Sequence, residues 1–295
     1  MFKETGNRAV LHLRITTRTP LAIRAGDTGL EPGGTDLKCV RTRRGGDDPT
    51  VYVPGSSLKG VVRSAVEAGV RGQTLSGVEG ACDPLDSVAS CSDRIRNLRR
   101  DSAEVHREHC LACRLFGSLS MKGRASIRDL LPADEKNETD ANLTQVRFGV
   151  GINRVSGGVS RGKLFDQEIV PAGVTFAGDV ALENYQVYQL GLLASAFAEL
   201  NDGFAQLGSS KSRGLGVVSV DVVSLLHEQP ARAGEHAVGV GHLFTPEHGK
   251  RYGLLKEAEL PSVAGKPRGL SRRFELDASQ ANAWLSAGLA ALGAL

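Results

Sequence analysis

Four of the five cysteines fall close together, as Cys82, Cys91, Cys110 and Cys113. The last two form a C-x-x-C, whose spacing lets two thiolates reach one tetrahedral ion. His109 directly precedes that pair and His106 lies shortly before it. No opening run has the form of a secretory signal, and an intracellular chain does not by default spend clustered thiols on disulfides. The pattern therefore predicts a structural zinc held by four cysteines in a cytoplasmic protein. The C-x8-C-x18-C-x2-C spacing matches no common finger, so a site that uses His109 or His106, or no metal at all, stays open.

A second kind of chemistry is suggested by Val51–Arg63, VYVPGSSLKGVVR. Pro54-Gly55 breaks the extended stretch before it, and Ser56 or Ser57 can cap a helix that follows. The spacing predicts a helix over Ser57–Ala68, closed by Gly69, with Lys59 and Arg63 four apart on one face. The unpaired N–H groups and the dipole of such a terminus attract phosphate. The simpler reading is that glycine and serine are what any strand-to-helix turn requires. Gly208–Gly216, GSSKSRGLG, repeats the chemistry with Ser210, Lys211 and Arg213. Two such loops predict one extended polyanion passing over both. The run Arg94-Ile95-Arg96-Asn97-Leu98-Arg99-Arg100 is either a solvated helical face or a further RNA contact.

Composition sets limits on these readings. With 41% hydrophobic and 23% charged residues the chain reads as globular, and nothing approaches a membrane span. A net charge of +3 is modest, so the placement of basic residues carries more information than their sum. Arginine far outnumbers lysine, which suits phosphate recognition, although a GC-rich genome explains the bias equally well.

The elements that must position these residues follow from periodicity. Val10–Thr16 alternates as a half-buried strand. Pro20–Gly46 is too rich in glycine for regular structure, yet carries Asp27, Asp36, Arg41, Arg43 and Arg44, and reads as a functional loop. Residues 70–123 are a polar insertion containing the cysteines. Gly123–Leu130 reads as a strand, Phe148–Lys163 as a long basic hairpin, and Val174–Leu182 as a strand with Val174, Phe176, Val180 and Leu182 inward. A helix over Tyr185–Leu200 and a strand over Leu215–Leu226 follow, and Ala278–Leu295 forms a terminal helix. Without its insertions this is an α+β chain in the β-α-β-β-α-β, ferredoxin-like (RRM-like) order. Aromatics are only 5%, so an RNA on this sheet would be held by its backbone rather than read by stacking.

Five motifs occur in a recognisable order: GGTD at Gly33–Asp36, YVPGSSLKGVVRS at Tyr52–Ser64, CLACRLFG at Cys110–Gly117, a basic hairpin ending in KLFDQEIVPAGVTF, and GSSKSRGLG. Together they resemble the RAMP superfamily of CRISPR-associated proteins, and within it the repeated backbone subunit of type III effector complexes. The resemblance covers residues 8–226, with a zinc or lid insertion at 70–123 and a thumb-like hairpin at 131–173. Residues 227–295 exceed the family core and are expected to meet a neighbouring subunit.

The resemblance implies partners: a CRISPR guide RNA, a complementary target RNA, other CRISPR-associated subunits and further copies of this or related chains, with no membrane. It makes Asp36 the candidate for target cleavage, with a divalent cation such as Mg²⁺. It assigns Ser56, Ser57, Lys59, Arg63, Arg154, Arg161, Ser210, Lys211 and Arg213 to RNA binding. The loop departs from the family pattern in carrying Leu37 and Cys39 beside the aspartate. Two alternatives stay open: a guide-binding scaffold that does not cut, and a guide-processing endonuclease. The latter fits poorly, because His106 and His109 crowd the presumed zinc.

Overall fold

The computed structural model describes residues 4–25, 35–43, 49–73, 75, 77–96, 101–133 and 143–295, excepting the side chains of residues 161–163. Strand β1 (Arg8–Thr17) runs through the middle because Leu11, Leu13 and Ile15 alternate with polar residues, and all three are buried. A short pair, β2 (Arg41–Thr42) and β3 (Thr50–Val51), leads into α1 (Gly55–Arg71). The cysteine-bearing insertion folds as α2 (Cys91–Ile95), α3 (Ser102–Arg107) and α4 (Leu111–Phe116), followed by the pair β4 (Gly117–Ser118) and β5 (Met121–Lys122). Then come β6 (Ala125–Ile127), β7 (Leu131–Pro132), the hairpin β8 (Gln145–Ile152) and β9 (Val159–Ile169), and β10 (Thr175–Glu183). The chain ends with α5 (Val187–Asn201), β11 (Val218–Pro230), α6 (Pro246–Tyr252), β12 (Gly265–Arg268), β13 (Ser271–Asp277) and α7 (Ala278–Gly293).

Among the described residues the main sheet is antiparallel, in the order β12-β13-β11-β1-β10-β6, with β7 also paired to β10. Its register aligns inward side chains in rows: Ile15 faces Phe176 on β10 and Val220 on β11, and Leu11 faces Val180 and Leu225. These rows form one core with Leu58, Val62 and Val66 of α1 and Leu193, Ala196 and Phe197 of α5. The hairpin arm lies outside this sheet, and Val146, Phe148, Val150, Ile152 and Leu164 on it are exposed. Among the described residues no helix is long and apolar enough to cross a membrane.

Two expectations about α1 require correction. The helix begins at Gly55, and neither Ser56 nor Ser57 caps it; the Gly55 N–H instead donates to Asp129 Oδ1 at 2.7 Å. A carboxylate from the β6–β7 connection thus supplies the anion that the helix dipole favours. Nor does Gly69 end the helix. Glu67 pairs with Arg63 and Arg71, one turn away on either side, and Val70 is buried, so the helix continues to Arg71.

The tail finds its role in α5. That helix buries nearly its whole circumference, which one sheet face cannot do; α7 covers the other side. The two helices meet where Gly191 faces Gly288, and a Cβ on Gly191 would lie 2.1 Å from the Gly288 carbonyl oxygen. Trp284 is fully buried nearby and donates its Nε1–H to Pro261 O at 3.0 Å. Gly191→Ala is therefore expected to force the helices apart and cost about 1–3 kcal/mol. Thermal unfolding should show a Tm lowered by several degrees, whereas Gly69→Ala, which meets nothing within 4 Å, should not lower it.

Candidate nucleic-acid interface and metal centre

The four cysteines come together. Their sulfurs all lie within 4.8 Å of one another, and all four residues are buried. Cys82 Sγ and Cys113 Sγ are 3.7 Å apart, close to the edge of a tetrahedron with zinc–sulfur arms of about 2.3 Å. Chain geometry builds this cluster: Cys110 caps α4 through its sulfur, which accepts the Cys113 N–H at 3.4 Å, and Cys91 Sγ accepts the Cys110 N–H at 3.3 Å. Two guanidiniums reach the sulfurs, Arg94 to Cys91 at 3.2 Å and Arg63 to Cys113 at 3.6 Å. N–H donors and cations turned toward sulfur are what thiolates require. Hydrogen bonds from Cys110 and Cys113 drive the Cys91 thiol far below its ordinary value, while the Cys110 hydrogen bond drives Cys113 far above it. The donor set fits a tetrahedral metal such as zinc.

Both histidines are committed elsewhere. His109 Nδ1 lies 2.5 Å from Val105 O and Nε2 lies 2.8 Å from Ser118 Oγ, while His106 Nδ1 lies 2.7 Å from Tyr252 O. Burial lowers the pKa of each. The fifth cysteine, Cys39, lies apart from the cluster; burial first and the neighbouring Glu168 second push its thiol up to about 11.

Asp36 is exposed and lies on a strap formed by residues 36–41. This strap lies between the chain entering the loop and the root of β9. On one side Val40 N–H donates to Ile23 O at 2.9 Å and Ala25 N–H to Lys38 O at 3.2 Å. On the other, Leu37 bridges Gln167 in parallel and Glu168 N–H donates to Leu37 O at 2.9 Å. Arg24 donates to Leu37 O at 3.0 Å and Gln167 Oε1 at 2.6 Å, and Arg41 pairs with Glu168. Burial pushes the Glu168 carboxyl up, but hydrogen bonds from Arg41 and from the Cys39 N–H outweigh it and hold the group below its ordinary value. At its tip the strap meets Asp166: Asp36 N–H donates to Asp166 Oδ1 at 2.7 Å, and Asp166 N–H donates to Asp36 Oδ2 at 3.2 Å.

The second basic loop joins the same framework. Ser209 N–H and Oγ–H both donate to Ala22 O, at 2.8 and 3.0 Å. Gly208, with φ +79°, lets the loop approach; a Cβ there would lie 2.5 Å from that oxygen. Ser210 is also left-handed, at φ 58°, before the single turn Lys211–Arg213. Lys211 and Arg213 are exposed, and the Arg213 guanidinium lies 5.6 Å over the ring of Phe165, the residue before Asp166.

The sequence candidates thus divide. Asp36 and Arg213 meet the arm at Asp166 and Phe165, Ser210 and Lys211 precede Arg213 in its loop, and exposed Arg154 stands in the turn at the arm's tip. Lys211 lines a groove of about 480 Å³ with Val61, Ser64 and Ala68 of α1. Lys59 lies on a different side of α1, in an open cavity of about 540 Å³ shared with Arg63 and three of the cysteines. Arg63 is drawn into its own chain: it pairs with Glu67 at 2.7 Å, donates to Gly117 O at 3.0 Å and touches Cys113. Ser56 is exposed at the first turn of α1, with Ser57 half-buried beside it. The side chain of Arg161, together with Gly33, Gly34, Asp27, Arg44 and residues 97–100, lies outside the described residues.

Asp166, Gln167 and Glu168 of KLFDQEIV take structural roles that no motif announces. The available signal was polarity at the base of a strand, where Gln167 and Glu168 are buried. Asp129 and Arg94 were likewise missed as the helix cap and the thiolate partner.

A family model described as the RAMP superfamily matches residues 14–219. Among curated proteins, the chain is similar to "CRISPR system Cms endoribonuclease Csm3" of Methanocaldococcus jannaschii, at 26% identity over 228 residues, covering 74% of this chain and 81% of that protein. It is also similar to the protein of the same description from Methanothermobacter thermautotrophicus, at 27% identity over 258 residues, covering 76% of this chain and 90% of that protein.

Proposed function

The chain belongs to the RAMP superfamily, and from that premise we propose that it is a guide-RNA-binding backbone subunit of a type III CRISPR effector complex, acting in the cytoplasm and cutting complementary RNA at Asp36. The observation that carries this reading is the exposed Asp36 carboxylate, held by Asp166 on the hairpin arm, next to Phe165 under the Arg213 guanidinium. The relatives' description as endoribonucleases supports it. The strand order β11-β1-β10-β6 supports a ferredoxin-like core. We assign residues 8–226 to that core, 70–123 to a zinc-bearing insertion, 131–173 to a thumb that wedges between guide and target, and 227–295 to an extension.

Cutting proceeds by in-line attack. The Asp36 carboxylate accepts the proton of a target 2′-hydroxyl, the 2′-oxygen bonds to the adjacent phosphorus, and the bond to the 5′-oxygen breaks, giving a 2′,3′-cyclic phosphate and, once protonated, a 5′-hydroxyl. A-form geometry opposes that alignment, so a thumb that flips out the neighbouring nucleotide supplies it. The exposed carboxylate of Asp36 suits a hard cation such as Mg²⁺, which when bound would neutralise the developing charge. Cutting of labelled complementary RNA by the assembled complex tests this function.

Guide holding falls to Lys59, Arg154, Arg161, Ser210, Lys211 and Arg213, with Ser56 and Ser57 at the start of α1; Arg63 we assign to the metal centre. If Lys211 and Arg213 meet phosphates, alanine at each should weaken guide binding whatever the guide sequence. Each lost contact should also flatten the slope of log affinity against log salt by roughly 0.7. Altered sequence preference with an unchanged slope would overturn this assignment.

A further inference from the structure

The strap that carries Asp36 is anchored along its length by main chain and buried side chains. Leu37 is fixed by Gln167, Glu168 and Arg24, and Cys39 donates its N–H to Glu168 Oε2 at 2.8 Å. The last rung differs. It is an exchange between two aspartates, each giving its N–H to the other's carboxylate, at 2.7 and 3.2 Å. One oxygen of Asp36, Oδ2, is thereby oriented toward the Asp166 backbone, and the Asp36 backbone is held by the Asp166 side chain.

We propose that Asp166 is the positioning residue for Asp36, and that through it the seating of the arm sets the geometry of RNA cutting. The inference rests on the assignment of cleavage to Asp36. Asp166 belongs to β9, the returning strand of the arm, so any displacement of the arm by a guide–target duplex moves the residue that holds the Asp36 backbone. Phe165 beside it lies under the Arg213 guanidinium, so the basic loop bears on the same point. The position of the cutting carboxylate is thus tied to both RNA-holding elements by one rung, whereas the buried rungs beneath it only keep the strap in place. Because in-line attack depends steeply on alignment, a small displacement of Asp36 costs rate rather than affinity.

The test is single-turnover cutting of labelled target RNA by the assembled complex, with rate and target affinity measured separately. Asp166→Ala removes the acceptor of the Asp36 N–H and should lower the single-turnover rate roughly tenfold to a hundredfold with target affinity unchanged. Asp166→Asn keeps an oxygen acceptor at Oδ1 and should restore the rate to within a few-fold of wild type. Thermal unfolding of both variants should match wild type, since Asp166 is only half-buried at the arm's root. Three results would overturn the inference: wild-type cutting by Asp166→Ala, loss of target binding in place of rate, or an Asp166→Asn as slow as the alanine variant, which would make charge the requirement. The parent assignment fails separately, if Asp36→Ala itself cuts normally.

Discussion

Asp36→Ala is expected to lower cutting of complementary RNA by about a thousandfold or more in the assembled complex, while assembly and target binding stay near wild type. The rate loss follows from the role: removing a group that takes a proton in the transition state typically costs about 10²–10⁴-fold. The preserved binding follows from the position. Asp36 is exposed, among the described residues its side chain accepts one hydrogen bond, from the Asp166 N–H at 3.2 Å, and the strap behind it is held by Arg24, Arg41, Gln167 and Glu168. Such a residue contributes little to folding. Removing a negative charge beside phosphates also relieves repulsion, so affinity for target should hold or rise. Chelation of divalent ions should reproduce the defect if a cation assists. Asp27→Ala serves as the comparison and should cut nearly normally. Full activity in Asp36→Ala with loss in Asp27→Ala would move the assignment; full activity in both would leave the chain a guide-binding scaffold.

Elements with strict periodicity were legible in the sequence. Leu11, Leu13 and Ile15 marked β1, and Phe176, Val180 and Leu182 marked β10, because alternation in a half-buried strand is imposed by burial on one face. The cysteine cluster was legible too, since a C-x-x-C brings two sulfurs to one point and the two remaining clustered thiols join them there. Features made by distant partners were not. Nothing near Gly55 announces that Asp129 caps its helix, and Ser56-Ser57 offered a local substitute that the fold does not use. Gly191 and Gly288 look like ordinary small residues until two helices meet at them. Arg63 shows the same limit: on a helical wheel it is a cation beside Lys59, and only the folded insertion brings Gly117 and Cys113 within its reach. Asp166 pairs with a residue 130 positions earlier, across a register that no local pattern specifies.

Purified under reducing, chelator-free conditions, the protein is expected to carry about one equivalent of zinc, and Cys110→Ser is expected to lose it. Cys110 is the variant of choice because its sulfur also caps α4 and a serine hydroxyl can keep that cap, so the change removes a ligand while leaving the helix start in place. In small zinc modules metal binding is worth roughly 10–16 kcal/mol, comparable with the entire stability of a typical domain. α2, α3 and α4 have 5, 6 and 6 residues, too short to persist alone; α4 is packed into the main core through Leu111, Leu115 and Phe116, whereas α2 is tied to it through the cysteine cluster. Loss of metal should therefore open residues 77–96 to protease while α4 and the main sheet, whose core rows lie on β1, β10 and β11, stay folded. The damage should reach RNA binding through α1, because Arg63 gives hydrogen bonds to Cys113 and Gly117, and freeing it removes the brace beside Lys59. Zinc loss to a chelator should be easier at lower pH, since protons compete for the thiolates. Metal analysis and limited proteolysis read both effects. A metal-free wild type, or a Cys110→Ser that keeps a full equivalent and resists protease, would rule out a zinc that holds the insertion together.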